Sequence, residues 1–373
     1  MIKKNLTNLN NNVSNLDKMN ILNKNKSTNI NNDSKQGIVL SSSINLFRNI
    51  SGYKFSASND KVEKENILYR IQNVKNEIKS LNDYSFYYLK DIPRLYRQLL
   101  IERGVMSALM LQKISGKGLI LKPDFIKSSN KLFAIIINED EHLKIQGVEP
   151  GISIRECFKR VLKMERALEK KLSFSFSKNL GYLTSNPSLL GTGLKAEILV
   201  HLPAMVISSR IVDFIKNLNQ IGFGVSGYIA DDNEVIGNLF RISNLITLGK
   251  DENSIIDELY AISQNTIEEE ENARADLKKN QEFEIEDSVF RSFGIVKYAK
   301  ILSFEESIEL LSMLKFGLDA KIIDEINNFN FYEIINLISD ANIELNYVNN
   351  KKATEDEIDF IRACVIREKL LIE

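Results

Sequence analysis

Three acidic residues in a row, Glu139-Asp140-Glu141, follow the apolar run Leu132-Phe133-Ala134-Ile135-Ile136-Ile137 and are followed by His142. Carboxylates placed just beyond a strand can hold a cationic group and accept a proton from it. On its own such a cluster reads as a solvated turn, so its neighbours decide its weight. They are Asn138 on one side and His142, Lys144 and Ile145-Gln146 on the other. More acids stand in the polar stretch Ala230-Asp231-Asp232-Asn233-Glu234. Gly191-Thr192-Gly193 is a glycine pair of the kind that brings backbone N–H groups to a phosphate at a helix start, and equally of the kind found in tight turns. Near the end of the chain, Asp359 and Arg362 are spaced as a same-face ion pair on an amphipathic helix.

The whole chain narrows the classes of function. It has 373 residues, 43% of them apolar and 27% charged, with a formal net charge of -1. That is the profile of a soluble globular protein without a polyanion-binding surface. Neither nucleic acid nor a membrane is an expected partner, since no run of about 18 apolar residues is present. Two cysteines, Cys157 and Cys364, point to a reduced, cytoplasmic setting. With two histidines and no cysteine pair, no metal site is expected.

The elements that must position these groups follow from periodicity. Residues 1–36, rich in Asn and Lys, read as a disordered tail. Ile38-Val39-Leu40 suggests a short extended stretch. Ile67, Ile71, Val74 and Ile78 mark one face of a helix within 60–80, and a second helix is expected over 91–112 with Pro93 near its first turn. These would make a small helical N-terminal domain over 37–115. The run 132–137 reads as a buried strand. Ser153 and Glu156 form a capping-box pattern for a helix whose inner face holds Ile154, Cys157, Phe158, Val161, Leu162 and Leu168. Leu194 to Leu218 reads as a helix entered through Gly191-Thr192-Gly193 and interrupted at Pro203. Gly222–Gly227 is expected to be extended, Ser254 to cap a helix running to about 279, and three or four helices to fill 288–373. This order gives an α+β class, with a sheet-containing domain over 116–285 and a helical domain over 286–373.

Several blocks together resemble a known family. Asn138–Gln146, Leu180-Gly181-Tyr182-Leu183-Thr184-Ser185-Asn186-Pro187, Leu190–Ala196 and His201-Leu202-Pro203-Ala204 resemble the active-site signature of the ATP:guanido phosphotransferases, in particular the bacterial protein arginine kinases. Val289–Ile295 resembles the opening of their last domain, so the likeness covers about 37–370. It implies an antiparallel sheet flanked by helices and a reaction that moves the γ-phosphate of ATP, with Mg²⁺, onto arginine side chains. It also implies arginine-containing or arginine-phosphorylated proteins as partners, and a homodimer or a heterodimer with a related kinase.

Carried over position by position, the resemblance makes Asp140 the base, with Glu139 beside it and Asp231 as the second acidic contact. The family's phosphate-gripping arginines fall on Ser43, Asn45, Gln98 (or the adjacent Arg97), Lys144, Lys195 and Ser226. Arg48 is kept and reads as structural. The family's reactive cysteine is replaced by Asn186. In the phosphoarginine-binding motif Asp359 and Arg362 remain, while Ile358 stands at its leading arginine. Phosphoryl transfer depends on positioning and charge stabilisation, and lysine keeps the charge of arginine without its planar fork. The expectation is therefore a degenerate member, a pseudokinase with lost or impaired ATP binding that acts by protein binding or regulation. The alternatives are an active kinase whose nucleotide site is rebuilt from Lys144, Lys195 and Arg97 with Mg²⁺, and a phosphoarginine reader.

Overall fold

A computed structural model describes residues 37–370, apart from 56–59, 113, 124–130, 229–234, 325, 327–328 and 349–352. The tail expected over 1–36, and Asp231 with its loop, lie outside the described residues.

Val39–Arg48 is a strand, β1, held by pairing along both of its edges. The other strands are β2 (Ser85–Tyr88), β3 (Gly118–Leu121), β4 (Leu132–Ile137), β5 (Leu143–Pro150), β6 (Phe176–Ser177), β7 (Gly181–Tyr182), β8 (Leu194–His201), β9 (Phe223–Gly227) and β10 (Leu239–Asn244). Eight of them form one sheet in the order β2-β3-β4-β5-β1-β8-β10-β9, and β6 and β7 make a separate ribbon. Neighbours in the large sheet are antiparallel throughout. The helices are α1 (Lys61–Glu77), α2 (Arg94–Glu102), α3 (Ile154–Glu169), α4 (Pro203–Ile207), α5 (Ile211–Gln220), α6 (Glu252–Asn280), α7 (Glu282–Tyr298), α8 (Phe304–Asp319), α9 (Phe331–Leu337), α10 (Asp340–Tyr347) and α11 (Glu355–Leu370).

The α+β class and the antiparallel sheet flanked by helices stand. Several local expectations change. Residues 39–48 are a central strand rather than part of a helical N-terminal layer, and 85–88 are an edge strand of the same sheet. The helix expected over 91–112 shortens to α2, with Pro93 at its N-cap. Leu194–His201 is a strand, because Leu194, Ala196 and Ile198 alternate with the more exposed Lys195 and Glu197 and the segment pairs along β1; helix begins only at Pro203, where proline's missing N–H is tolerated. The caps also differ. The Ser153 hydroxyl donates to Pro150 O at 2.8 Å, so no capping box forms. Asp251, rather than Ser254, caps α6 by accepting from Ser254 N at 3.1 Å. Among the described residues five helices, α7 to α11, follow residue 281, and the boundary expected at 286 falls inside α7.

The two faces of the sheet differ in kind. Ile44 and Leu46 of β1 share a face with Ile145 of β5, Ile135 of β4, Ala196 and Ile198 of β8 and Ile242 of β10. All are buried. Here α3 packs so closely that a Cβ on Gly147 would meet Val161 at 2.6 Å. On the opposite face, β3 and β4 bury Leu119, Leu121, Ala134 and Ile136 with Leu100, Val105 and Met106 as a second small core. Along β5, β1, β8, β10 and β9, the same opposite face is largely polar, and it carries the candidate site.

Candidate active site

The turn between β4 and β5 holds the acidic cluster. Asn138 enters it with a left-handed φ of 59°, and its side-chain amide donates to Lys64 O at 3.0 Å and Gly116 O at 2.7 Å. A non-glycine residue accepts this conformation most readily when it is Asn or Asp. The three acids then point to three different surroundings. Glu139 accepts from Ser107 N at 2.8 Å and from Lys144 Nζ at 3.3 Å. Glu141 is buried and accepts from Asn49 Nδ2 at 2.5 Å, Ser185 N at 2.9 Å and Asn186 N at 3.0 Å, which ties the end of β1 to the loop after β7. Asp140 is exposed. Partial burial, then the charges of Glu139 and Glu141, raise its pKa above the usual value against the opposing pull of Lys117 and Lys144. A carboxylate tuned upward in an accessible position has the properties of a general base. His142 is buried and neutral: Nδ1 accepts from Ile50 N at 3.0 Å, which leaves Nε2 to donate to Lys54 O at 2.8 Å. Burial lowers its pKa, so the ring serves as a fixed bracket for the turn.

The positions assigned to the phosphate clamp are brought together by strand register. Asn45 on β1 faces Gln146 on β5 and Lys195 on β8. Ser43 faces Val148 and Glu197. Lys144 faces Phe47 on the same side, and Ser226 on β9 faces Arg241 on β10, which faces Leu199 on β8. Ser43, Asn45, Lys144, Lys195 and Ser226 therefore share one sheet face. Gln98 differs, being an exposed residue of α2 whose amide donates to Glu102 at 3.3 Å. Glu102 in turn accepts from Ala341 N at the start of α10. Arg97 keeps a buried Nε without a hydrogen-bond partner.

What this face offers chemically is mixed. Lys144 is already engaged by Val105 O at 3.0 Å and by Glu139. Lys195 is half-exposed, 4.0 Å from Glu197. Asn45 Oδ1 and Gln146 Oε1, on facing residues, are buried acceptors without partners, and Gln146 is held in this orientation by its donation to Gly104 O at 3.0 Å. Two groups that sequence reasoning passed over complete the face. Arg241 Nη1 donates to Glu197 Oε1 at 2.7 Å, and its Nε donates to Tyr228 O at 3.1 Å. Burial opposes the charge of Arg241, but Glu197 and Tyr228 more than offset this, and its pKa is raised. A triphosphate needs converging donors and cations. On this face Lys144, Lys195 and Arg241 stand among carboxylates and two buried acceptors without partners. The missed signal was available: read with period two, 194–201 places Glu197 beside Lys195.

The remaining expected positions have structural duties. Arg48 is buried on the other face. Its Nε donates to Glu165 at 2.8 Å and its Nη1 to Thr192 O at 3.0 Å and Phe47 O at 2.8 Å, with the guanidinium 3.5 Å from the Tyr182 ring centre. Asn186 caps the short turn at Pro187–Leu189, accepting from Ser188 N at 3.0 Å. Gly191 and Gly193 both have positive φ, and a Cβ on either would lie 2.6 Å from a backbone oxygen, so Gly191-Thr192-Gly193 is a close-packed turn into a strand and not a helix N-terminus. Cys157 is a buried core thiol, its pKa pushed up to about 12 by burial. Arg362 is 1% exposed and donates to Ile338 O, Leu302 O, Asp359 and Asp340, so its pair with Asp359 is a buried hub joining α10 and α11 and not a surface ion pair. Among the described residues no cluster of His, Cys, Asp and Glu is arranged to hold a metal ion, and no helix is long and apolar enough to cross a membrane.

Comparison with known proteins agrees with this architecture. Residues 66–273 match the family model "ATP:guanido phosphotransferase, C-terminal catalytic domain", and residues 282–373 match "Protein-arginine kinase McsB C-terminal domain". The chain is 34% identical over 338 residues to a protein-arginine kinase of Halothermothrix orenii, covering 90% of this chain and 94% of that one. It is 35% identical over 344 residues to that of Syntrophomonas wolfei, covering 90% and 92%. Among solved structures it shares a fold with lombricine kinase (TM-score 0.56, 21% identity, 65% of this chain and 68% of that one). The duplicated taurocyamine kinase of Schistosoma mansoni is similar at TM-score 0.55 and 21% identity, over 65% of this chain and 34% of that one. A sheet face that gathers the clamp positions, an acidic turn at its edge and matches over nearly the whole described chain lead to one assignment: the chain belongs to the ATP:guanido phosphotransferase family, in its protein-arginine kinase branch.

Proposed function

We propose that this chain is a protein-arginine-kinase scaffold with lost or impaired ATP binding, acting by protein binding or regulation rather than by catalytic turnover. The observation that carries this reading is the state of the polar face. Ser43, Asn45 and Ser226 supply no cation, Lys144 is bound to Glu139, and Arg241 is paired to the carboxylate of Glu197. Phosphoryl transfer has little covalent chemistry for the protein to perform, so a face without converging guanidinium groups forfeits most of the means of catalysis. A thermal-shift titration with Mg-ATP, run beside a transfer assay on an unstructured arginine-rich protein, tests it. The expected result is no shift and no phosphoarginine. Ligand at a hundred times its Kd stabilises by about 2.7 kcal/mol, so a shift of several degrees together with transferred phosphate refutes the proposal.

A second reading, the active kinase, draws support from the turn at 138–142. Asp140 is accessible, its pKa is raised, and buried Glu141 and His142 hold the loop that presents it. Those features suit a working base. The same transfer assay decides between the two, because Asp140→Asn abolishes transfer only if transfer exists. The phosphoarginine-reader reading is less favoured, since the Arg362 guanidinium is already engaged by four acceptors.

A further inference from the structure

The absence of arginines at the clamp positions does not account for Glu197. Its side chain emerges on the polar face between Ser43 of β1 and Ser243 of β10, two residues along β8 from Lys195. One carboxylate oxygen accepts from Arg241 at 2.7 Å, and the other is 4.0 Å from Lys195 Nζ. Arg241 stands directly across from Ser226, one of the positions left without an arginine. Its guanidinium is fixed further by Tyr228, whose carbonyl accepts from Nε at 3.1 Å and whose ring centre lies 5.2 Å away. An anion is thus held between two cations on the face where a phosphate chain would need them. Carboxylate and phosphoryl oxygens are both anionic acceptors for an arginine N–H.

We propose that Glu197 is an internal substitute for a polyphosphate on this face, and that Arg241 is a phosphate-binding cation which Glu197 occupies. The inference rests on the reading that the chain does not hold ATP tightly, and it names the group that prevents it. Removing the Glu197 charge frees the Arg241 fork toward solvent and leaves Lys195 and Arg241 as neighbouring cations without an anion between them. Any anion with two or more phosphoryl groups fits that arrangement, whether or not it carries a nucleoside.

The test uses the full chain with Glu197→Gln, and Glu197→Ser as a second variant should the glutamine disturb β8. Each is titrated calorimetrically with Mg-ATP and with inorganic tripolyphosphate, with circular dichroism and melting temperature confirming the fold. Relative to the unaltered chain, a gain in affinity of at least tenfold is expected for both ligands, the lower end of what one hydrogen bond to a charged group provides. The gain should shrink as salt rises and vanish in Glu197→Gln/Arg241→Met. Asp257→Asn, which removes an exposed acid paired with Arg155, is the control for net charge. The inference is overturned if the folded Glu197 variants gain nothing, if the gain survives loss of Arg241, or if Asp257→Asn gains as much. Tight Mg-ATP binding by the unaltered chain would instead overturn the proposed function, and the ratio between Glu197→Gln and the unaltered chain would still report on Glu197.

Discussion

Replacing Arg48 by Met separates a structural arginine from a catalytic one. Arg48 and Glu165 are both 1% exposed and joined at 2.8 Å. The substitution removes that pair, the donations to Thr192 O and Phe47 O, and the stacking on Tyr182 at 3.5 Å. Methionine fills much of the volume, so the loss is chiefly electrostatic: Glu165 is left as an uncompensated buried charge. Breaking a buried pair from one side costs about 3–5 kcal/mol. Replacing both partners by apolar residues of similar size is often close to neutral, so Arg48→Met/Glu165→Leu should recover most of the loss. Urea unfolding of the wild type, both single variants and the double variant gives the cycle. At roughly 2 °C per kcal/mol for a chain this large, the single variant should also melt about 6–10 °C lower. If Arg48→Met stays within about 1 kcal/mol of wild type, or if the double variant is as unstable as the single one, the buried-pair argument fails.

Other expectations rest on different interactions. Asp140 has a raised pKa, so its stabilising contribution is complete below the unfolded carboxylate value and is lost as pH rises through the folded one. Asp140→Asn should therefore match or exceed wild-type stability at neutral pH, with the gap closing below about pH 4; urea midpoints at the two pH values check the sign. Gly193 has φ of 57° and its Cβ would lie 2.6 Å from Phe47 O, so Gly193→Ala should lower stability by at least about 1–3 kcal/mol in the same assay. Glu270 is fully buried and accepts from Ala204 N at 3.1 Å, Met205 N at 3.0 Å and Arg274 Nε at 2.8 Å. Glu270→Ala should cost about 3–5 kcal/mol, and limited proteolysis should show faster cleavage near 203–208, the helix whose first N–H groups it holds.

The sequence was readable where one periodicity prevailed. Ile67, Ile71 and Val74 fall on the buried side of α1, and the unbroken run 132–137 is β4. It misled where two periods fit the same residues. Leu194, Ile198 and Leu202 recur every four residues as a helix would have them, yet Leu194, Ala196, Ile198 and Val200 also alternate, and pairing with β1 on one side and β10 on the other decides for the strand. That error also hid Glu197. In β1 the serines of 41–43 resemble a loop, and only the strands on both sides make them sheet. The Glu197–Arg241 pair joins residues 44 apart in the chain, which no local pattern reports. The site positions became legible through family resemblance, and their convergence on one face through register.

The division of labour between the two faces explains how a clamp can be lost while the fold remains. Ile44, Leu46, Ile145, Ala196 and Ile198 are fully buried on one side of the sheet, and with α3 and α6 they supply hydrophobic stabilisation that is indifferent to what stands opposite. Ser43, Asn45, Lys195 and Ser226 project from the other side of the same strands, where a substitution alters charge without opening a cavity in that core. The backbone hydrogen bonds that fix the register are the same for either set of side chains. A cluster of like guanidinium groups on such a face is itself unfavourable without an anion among them, so replacing several with neutral residues relieves repulsion rather than adding strain. Glu197 acts in the same direction, because it offsets the charge of Arg241 and lies 4.0 Å from Lys195. On the proposed reading the fold gains by losing the clamp, and only a requirement for ATP would hold the arginines in place.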